Sequence, residues 1–221
     1  MINYRDIVKI PEFKETYKKI EESKKDCPVN HGLVHINHVI SNSKKLSELF
    51  HLTIEQENLL LVAATLHDFG YLMGRQDHAE NGAMLARDFL KRYFPNEPTQ
   101  NVDIICKAIA AHRGHKKQDY QDIVSVLLIL ADTFDFKSTR YERNIEKYPE
   151  VINFLRIKDV SLVEQSFGYA LQIVVTKKFN KRKFETEFLE KKVMPVLNYA
   201  KELCKIDISV KYFLPDYEKH M

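Results

Sequence analysis

Nine histidines are spread over the chain, and their placement is informative. His31, His35 and His38 are spaced i, i+4 and i+7, on one face of one helix. His67 and Asp68 stand side by side behind the apolar run "LLLVAATL". His78 opens a later helical pattern, His112 ends another, and Asp132 ends a further one behind "LLILA". Each lies at or near a helix end, or on a face otherwise apolar. Imidazoles and carboxylates converging from several helices of a bundle are a standard way to hold a metal ion. A mixed nitrogen and oxygen donor set suits iron, manganese, cobalt, nickel or magnesium more than structural zinc.

Such an arrangement needs helices to position it. Only 6 glycines in 221 residues, with long 3.6-residue periodicities, predict a mainly α core. Pro11 opens a charged helix reaching about Asp26, and a second helix follows "CPVNHG". Thr53 and Gln56 read as a capping box ahead of the buried run 59–66. Asp77 and Glu80 have the same form ahead of "NGAMLARDFLKRYF". Helices are also expected over "TQNVDIICKAIAAH" and "IVSVLLILADTF", with the polar loop "RGHKKQDYQD" between them. From about Asp159 the texture changes. Strands are expected at 169–176 and in "IDISVKYFL", with an amphipathic helix between them that Pro195 kinks or breaks. The reading is a helical domain over 1–158 and a small α+β extension over 159–221, packed on the core.

Hydrophobic residues make up 44% of the chain, enough for a sizeable core. The net charge of +3 is no footprint for a nucleic acid polymer, but it suits a small anionic substrate. Cys27, Cys106 and Cys204 form neither a ligand pair nor a disulfide framework, which points to a reducing compartment. The N-terminus has no signal-peptide pattern, and the apolar runs are too short to span a membrane. A cytoplasmic protein is expected, and the sequence leaves a homo-oligomer open.

Each residue also has an ordinary reading. His51 and His220 read as surface or loop histidines, and His38 as a satisfied interior one. Asp132 could simply end a helix, yet a carboxylate there opposes the helix dipole and wants a cation nearby. The adjacent pair of His67 and Asp68 is harder to dismiss, because aspartate is almost never buried unpaired.

Taken in order, the fragments resemble the HD-domain superfamily of metal-dependent phosphohydrolases. "HGLVHINHV" looks like the opening helix, with His38 where arginine is usual. "LHDFG" resembles the pair that names the family, "HAENGAMLARDFL" the later H-x-x-x-G-A segment, "AIAAH" the I-x-x-H segment, and "LLILADTFD" the closing A-D segment. The resemblance covers roughly residues 30–140 and implies an HD-type helical bundle. It implies His35, His67, Asp68 and Asp132 as a mononuclear metal set with open positions. His78 and His112 would add a second ion bridged by Asp68. The lysine that often follows the HD pair is Tyr71 here, and the gap from Asp68 to His78 is short.

The implied chemistry is hydrolysis of a small phosphoester, a nucleotide or dinucleotide, by water activated on one or two divalent ions. Asp68 and His112 are the catalytic candidates. Phosphate needs further positive charge, and Arg75, Arg113, Lys116 and Arg140 lie near the ligands in sequence. His31, which matches a position facing substrate in this family, and His115 are further donors. The run "KKFNKRKFE" reads as a solvated strand-to-helix turn. Two other readings compete. Some proteins resembling this pattern are mixed-valence di-iron oxygenases, which need both His78 and His112 as ligands. The other is a non-catalytic metal- or nucleotide-binding module.

Overall fold

The computed structural model describes residues 2–24, 26–113, 122–141 and 147–215. Among the described residues, nine α-helices come in the order α1 (Tyr4–Ile7), α2 (Pro11–Ser23), α3 (Leu33–Leu49), α4 (Ile54–Leu66), α5 (His78–Tyr93), α6 (Thr99–Ala111), α7 (Ile123–Thr133), α8 (Lys181–Phe184) and α9 (Met194–Cys204). Strands β1 (Ile157–Glu164), β2 (Tyr169–Val175) and β3 (Ile208–Phe213) form one sheet. By packing, the described chain divides into two units, Met1–Asp26 with Asn30–Thr133, and Cys27–Val29 with Phe134–Met221.

In the first unit α4 is the central helix. Every residue from Leu59 to Leu66 is buried, as expected of a helix that is apolar all round. It packs against α3, α6 and α7. The capping box is present: Thr53 Oγ1 accepts from the Gln56 N–H, and Gln56 Oε1 accepts from the Thr53 N–H, at 3.2 and 3.0 Å. The second expected box is not. Asp77 is left-handed at φ 52° and its side chain makes no cap hydrogen bond. A box requires an extended N-cap residue, whereas Asp77 turns the chain sharply into α5.

Between α4 and α5 the chain makes a 3-10 turn, Phe69–Met73, that packs on α2 and α5. Phe69 lies among Phe13, Tyr17 and Phe89, with ring centroids 5.5 to 6.1 Å away. The buried Tyr17 hydroxyl donates to the Thr65 carbonyl at 2.9 Å, fixing the end of α4. Two glycines permit the close approach of turn and helix. A Cβ at Gly70 would overlap the His78 carbonyl oxygen, and one at Gly82 would lie 2.9 Å from the His67 carbonyl oxygen.

The second unit begins earlier than the change of texture at 159 suggests. Phe136 is buried against Phe184 and Phe188, and Tyr141 stacks on Phe154 at 4.3 Å, so the segment after α7 belongs to this core. The 3-10 run Pro149–Arg156 leads into β1, a strand the sequence reading did not anticipate. Its "KDVSLVE" lacks clean alternation, and its burial is correspondingly graded. β1 and β2 are antiparallel, whereas β2 and β3 are parallel and joined across α8, a π-helical stretch (Glu185–Val193) and α9. Pro195 falls where the π-helical stretch gives way to α9, so the expected break is a change of winding within a continuous helical run. All three cysteines are free, and no helix among the described residues is long and apolar enough to cross a membrane.

The tightest backbone approach in the first unit supplies a test. Gly70→Ala forces the 3-10 turn off α5 and should destabilise the protein by about 3 kcal/mol, read from chemical denaturation. An unchanged midpoint would contradict this packing.

Candidate metal centre

The first unit brings together seven of the singled-out residues: His31, His35, His67, Asp68, His78, His112 and Asp132. His35 is on the buried face of α3, and Asp132 is in the last turn of α7. The Asn42 amide donates to the Ala131 carbonyl at 2.9 Å, tying those two helices beside the cluster. His67 and His112 are the C-cap residues of α4 and α6, and His78 is the first residue of α5.

Those three rings share one orienting contact. The Nδ1–H of His67 donates to the Ala64 carbonyl at 2.9 Å, that of His112 to Ile109 at 2.6 Å, and that of His78 to Arg75 at 3.0 Å. Ala64 and Ile109 are in the last turns of their helices, where carbonyls lose their i+4 donors; the Ile109 carbonyl also accepts from the His112 backbone N–H at 3.3 Å. With Nδ1 protonated, each neutral ring presents its Nε2 lone pair to the cluster.

The distances match shared coordination. His35 Nε2 lies 3.2 Å from His67 Nε2 and 3.2 Å from Asp132 Oδ1. His78 Nε2 and His112 Nε2 are also 3.2 Å apart. In the His78–His112 pair both Nδ1–H groups are given to carbonyls, so two Nε2 lone pairs face each other and repel unless a cation lies beside both. Adjacent nitrogens on one ion, each bonded at about 2.1 Å, stand roughly 3.0 to 3.4 Å apart. The donor set therefore fits metal ions, and three of its triads have ligand atoms within 4.8 Å of one another: His31–His35–Asp68, His35–His67–Asp132 and His67–Asp68–His112.

Asp68 joins the two halves. It is 2% exposed, and its two oxygens face different neighbours. Oδ2 lies 3.2 Å from His31 Nδ1 and 3.5 Å from His35 Nε2. Oδ1 lies 3.5, 3.8 and 4.0 Å from the Nε2 atoms of His67, His112 and His78. Burial alone would raise the carboxyl pKa, but the imidazoles of His67, His31 and His35 outweigh it, and the group stays well below its ordinary 3.8. Burial lowers the pKa of His67, His78 and His112 below 6.5; His112 adds to the effect on His78, and His67 to that on His112. Neutral imidazoles around an ionised carboxylate are the protonation states that metal ligands require.

Tyr71 takes a place that sequence reasoning had counted only as a lost lysine. Its buried ring lies 4.3 Å from the His31 ring and stacks on His78 at 4.2 Å and 20°. The Lys24 ammonium lies 4.9 Å from the Tyr71 ring centre and returns a cation to this side of the cluster. Nothing in the sequence pointed to Lys24, which precedes the motif-bearing stretch and reaches the site only because α2 packs on the 3-10 turn.

The expected substrate contacts fare less evenly. His31 touches Asp68, as described. Arg75 is exposed and contributes its carbonyl to His78. Arg113 is exposed, and its charge acts on His78. Arg140 belongs to the second unit, where its guanidinium donates to the Asp135 carbonyl at 2.8 Å. His115 and Lys116 lie outside the described residues. His38 is half-buried and in none of the three triads.

A family model for the HD domain matches residues 32–137. The chain carries an HD domain. His67 and Asp68 are its naming pair, and the superfamily is one of metal-dependent hydrolases. Among solved structures, one that matches is the crystal structure of a predicted HD superfamily hydrolase from an uncultured Thermotogales bacterium. It is 25% identical, covers 61% of this chain and 74% of its own, and has a TM-score of 0.43. No curated protein matches the chain.

The histidine states can be tested directly. In metal-free protein, nitrogen NMR should find His67 and His112 as neutral Nδ1–H tautomers at pH 7, with midpoints below 6.5. The unfolded chain takes up these protons near pH 6.5 and the native chain does not. Their contribution to metal-free stability is therefore present above that value and is lost as pH falls below it. Midpoints at or above 6.5 would contradict the geometry.

Proposed function

We propose that the protein is a metal-dependent phosphohydrolase acting on a small phosphoester of nucleotide type. The observation that carries this reading is the division of Asp68: one oxygen faces His31 and His35, the other faces His67, His78 and His112. A carboxylate placed this way can serve two ions at once. His35, His67, Asp68 and Asp132 would hold one, and His78 and His112 with Asp68 the other. Bound ions would lower the pKa of a coordinated water and polarise a phosphoryl oxygen.

The chain's own residues supply the rest. The backbone carbonyls behind His67, His78 and His112 lock those rings, so little reorganisation is needed on loading. His31 lies against Asp68 with its ring 13% exposed, placed to donate to a substrate oxygen and to steady the carboxylate. Lys24 and Arg113 bring positive charge towards the cluster, which suits a phosphate dianion. The exposed Leu72 and Met73, which follow Tyr71, offer apolar surface for the non-phosphate part of a substrate.

The di-iron oxygenase reading keeps one specific support. It requires both His78 and His112 as ligands, and their Nε2 atoms stand 3.2 Å apart. Metal analysis alone does not separate the two reactions, so O2 consumption should be followed beside phosphate release.

Elemental analysis of the purified protein should give about two ions per chain, and Asp68→Ala should lose metal and turnover while keeping its helical content. An Asp68→Ala protein with full metal occupancy and turnover would overturn the assignment. His78→Ala should remove about one ion per chain. Lys24→Ala should raise KM for a phosphoester about tenfold with metal content unchanged, the loss expected for one charge-assisted contact. An unchanged KM would remove Lys24 from the substrate site.

A further inference from the structure

The ring contacts at the metal centre close on themselves. His31 meets His35 at 6.0 Å between centroids, His35 meets His67 at 5.2 Å, and His67 meets His112 at 5.0 Å. His112 meets His78 at 5.1 Å, His78 meets Tyr71 at 4.2 Å, and Tyr71 returns to His31 at 4.3 Å. The five histidines of this circuit all lie within 4.0 Å of an Asp68 oxygen. Its sixth member is Tyr71, which offers no imidazole or carboxylate ligand.

Among the three rings that give Nδ1–H to a carbonyl, His78 has the least regular support. The carbonyls behind His67 and His112 belong to α4 and α6. Arg75, behind His78, lies in the exposed stretch between Gly74 and the left-handed Asp77. One hydrogen bond at Nδ1 lets an imidazole tilt about the donor–acceptor line, which swings Nε2. A ring lying flat against its face stops that tilt, and Tyr71 stacks on His78 at 20°.

Tyr71 is in turn registered to the residue that both ion positions share. Its N–H donates to the Asp68 carbonyl at 3.0 Å, so Asp68 and Tyr71 are held in one 3-10 turn. The Tyr71 ring is buried, and the Lys24 ammonium lies 4.9 Å from its centre. The ring therefore carries the placement of Asp68 across to the first residue of α5.

We propose that Tyr71 is a positioning residue, whose ring holds the His78 imidazole in the plane that lets its Nε2 and Asp68 Oδ1 serve one ion. This rests on the two-ion reading of the cluster. The aromatic face does the work, and the hydroxyl is not required for it.

Calorimetric titration of the metal-stripped full chain with Mn2+, repeated with Co2+, tests the role. The unsubstituted chain should take up two ions. Tyr71→Leu should weaken one of them about tenfold or more and leave the other within about threefold. The weakened ion should be the one that His78→Ala removes. Tyr71→Phe keeps the ring and should hold both ions within about threefold. A role in packing alone would not separate the two affinities. Circular dichroism checks folding, and if Tyr71→Leu unfolds, Tyr71→Met takes its place with the same expected split. Independently of any variant, the His78 ring protons of the metal-free chain should be shifted upfield by the Tyr71 ring face, and an unshifted signal overturns the proposal. Two ions with unchanged affinities in Tyr71→Leu, both weakened alike, or an equal loss in Tyr71→Phe overturn the positioning role and leave the two-ion reading standing. One ion or none on the unsubstituted chain with both metals overturns the two together.

Discussion

A carboxylate withdrawn from water among imidazoles is the constraint around which the first unit is arranged. Asp68 is 2% exposed, and removing a carboxylate from water costs several kcal/mol unless partners compensate. His31, His35, His67, His78 and His112 all lie within 4.0 Å of its oxygens. They come from the segment just ahead of α3, where His31 precedes the helix instead of sharing its face with His35, and from the buried face of α3, the end of α4, the start of α5 and the end of α6. A shift of any of these elements would leave Asp68 without part of its compensation. The packing of the bundle and the chemistry of the site are thus the same problem.

The rings are aimed by backbone groups that helix ends leave over. A histidine one residue past the last helical turn can give its Nδ1–H to the carbonyl three residues back, as His67 and His112 both do. This gives a carbonyl of the last helical turn a side-chain donor and turns Nε2 towards the cluster. His78 obtains the same orientation from the Arg75 carbonyl, at the point where the left-handed Asp77 starts α5. Gly70 and Gly82 complete the arrangement by letting the 3-10 turn lie directly on α5. The short interval between Asp68 and His78 is sufficient because that turn is compact and closely packed.

The second unit is assembled by another route. No motif marks it. The beginning of β1 and the ends of β2 and β3 meet because one antiparallel and one parallel pairing bring three strand ends to the same side of the sheet. Its aromatic core, Phe136, Phe154, Phe184 and Phe188, gathers residues from both sides of that sheet in sequence, which is why the unit starts ahead of its first strand.

By itself the sequence determined the helical class, the order of motifs, and that His35, His67, Asp68, His78, His112 and Asp132 belong together, because helix periodicity and adjacent polar groups on apolar helices are local signals. It determined the Thr53 capping box for the same reason. The tertiary structure decided how the two oxygens of Asp68 are shared, that His78 reaches His112, that Tyr71 lies between His31 and His78, and that Lys24 has its charge beside Tyr71. It also decided that β1 is a strand. These depend on contacts between residues far apart in the chain, on glycines whose missing side chains allow one element to touch another, and on strand pairings of opposite sense. No local pattern of residue types records such distances.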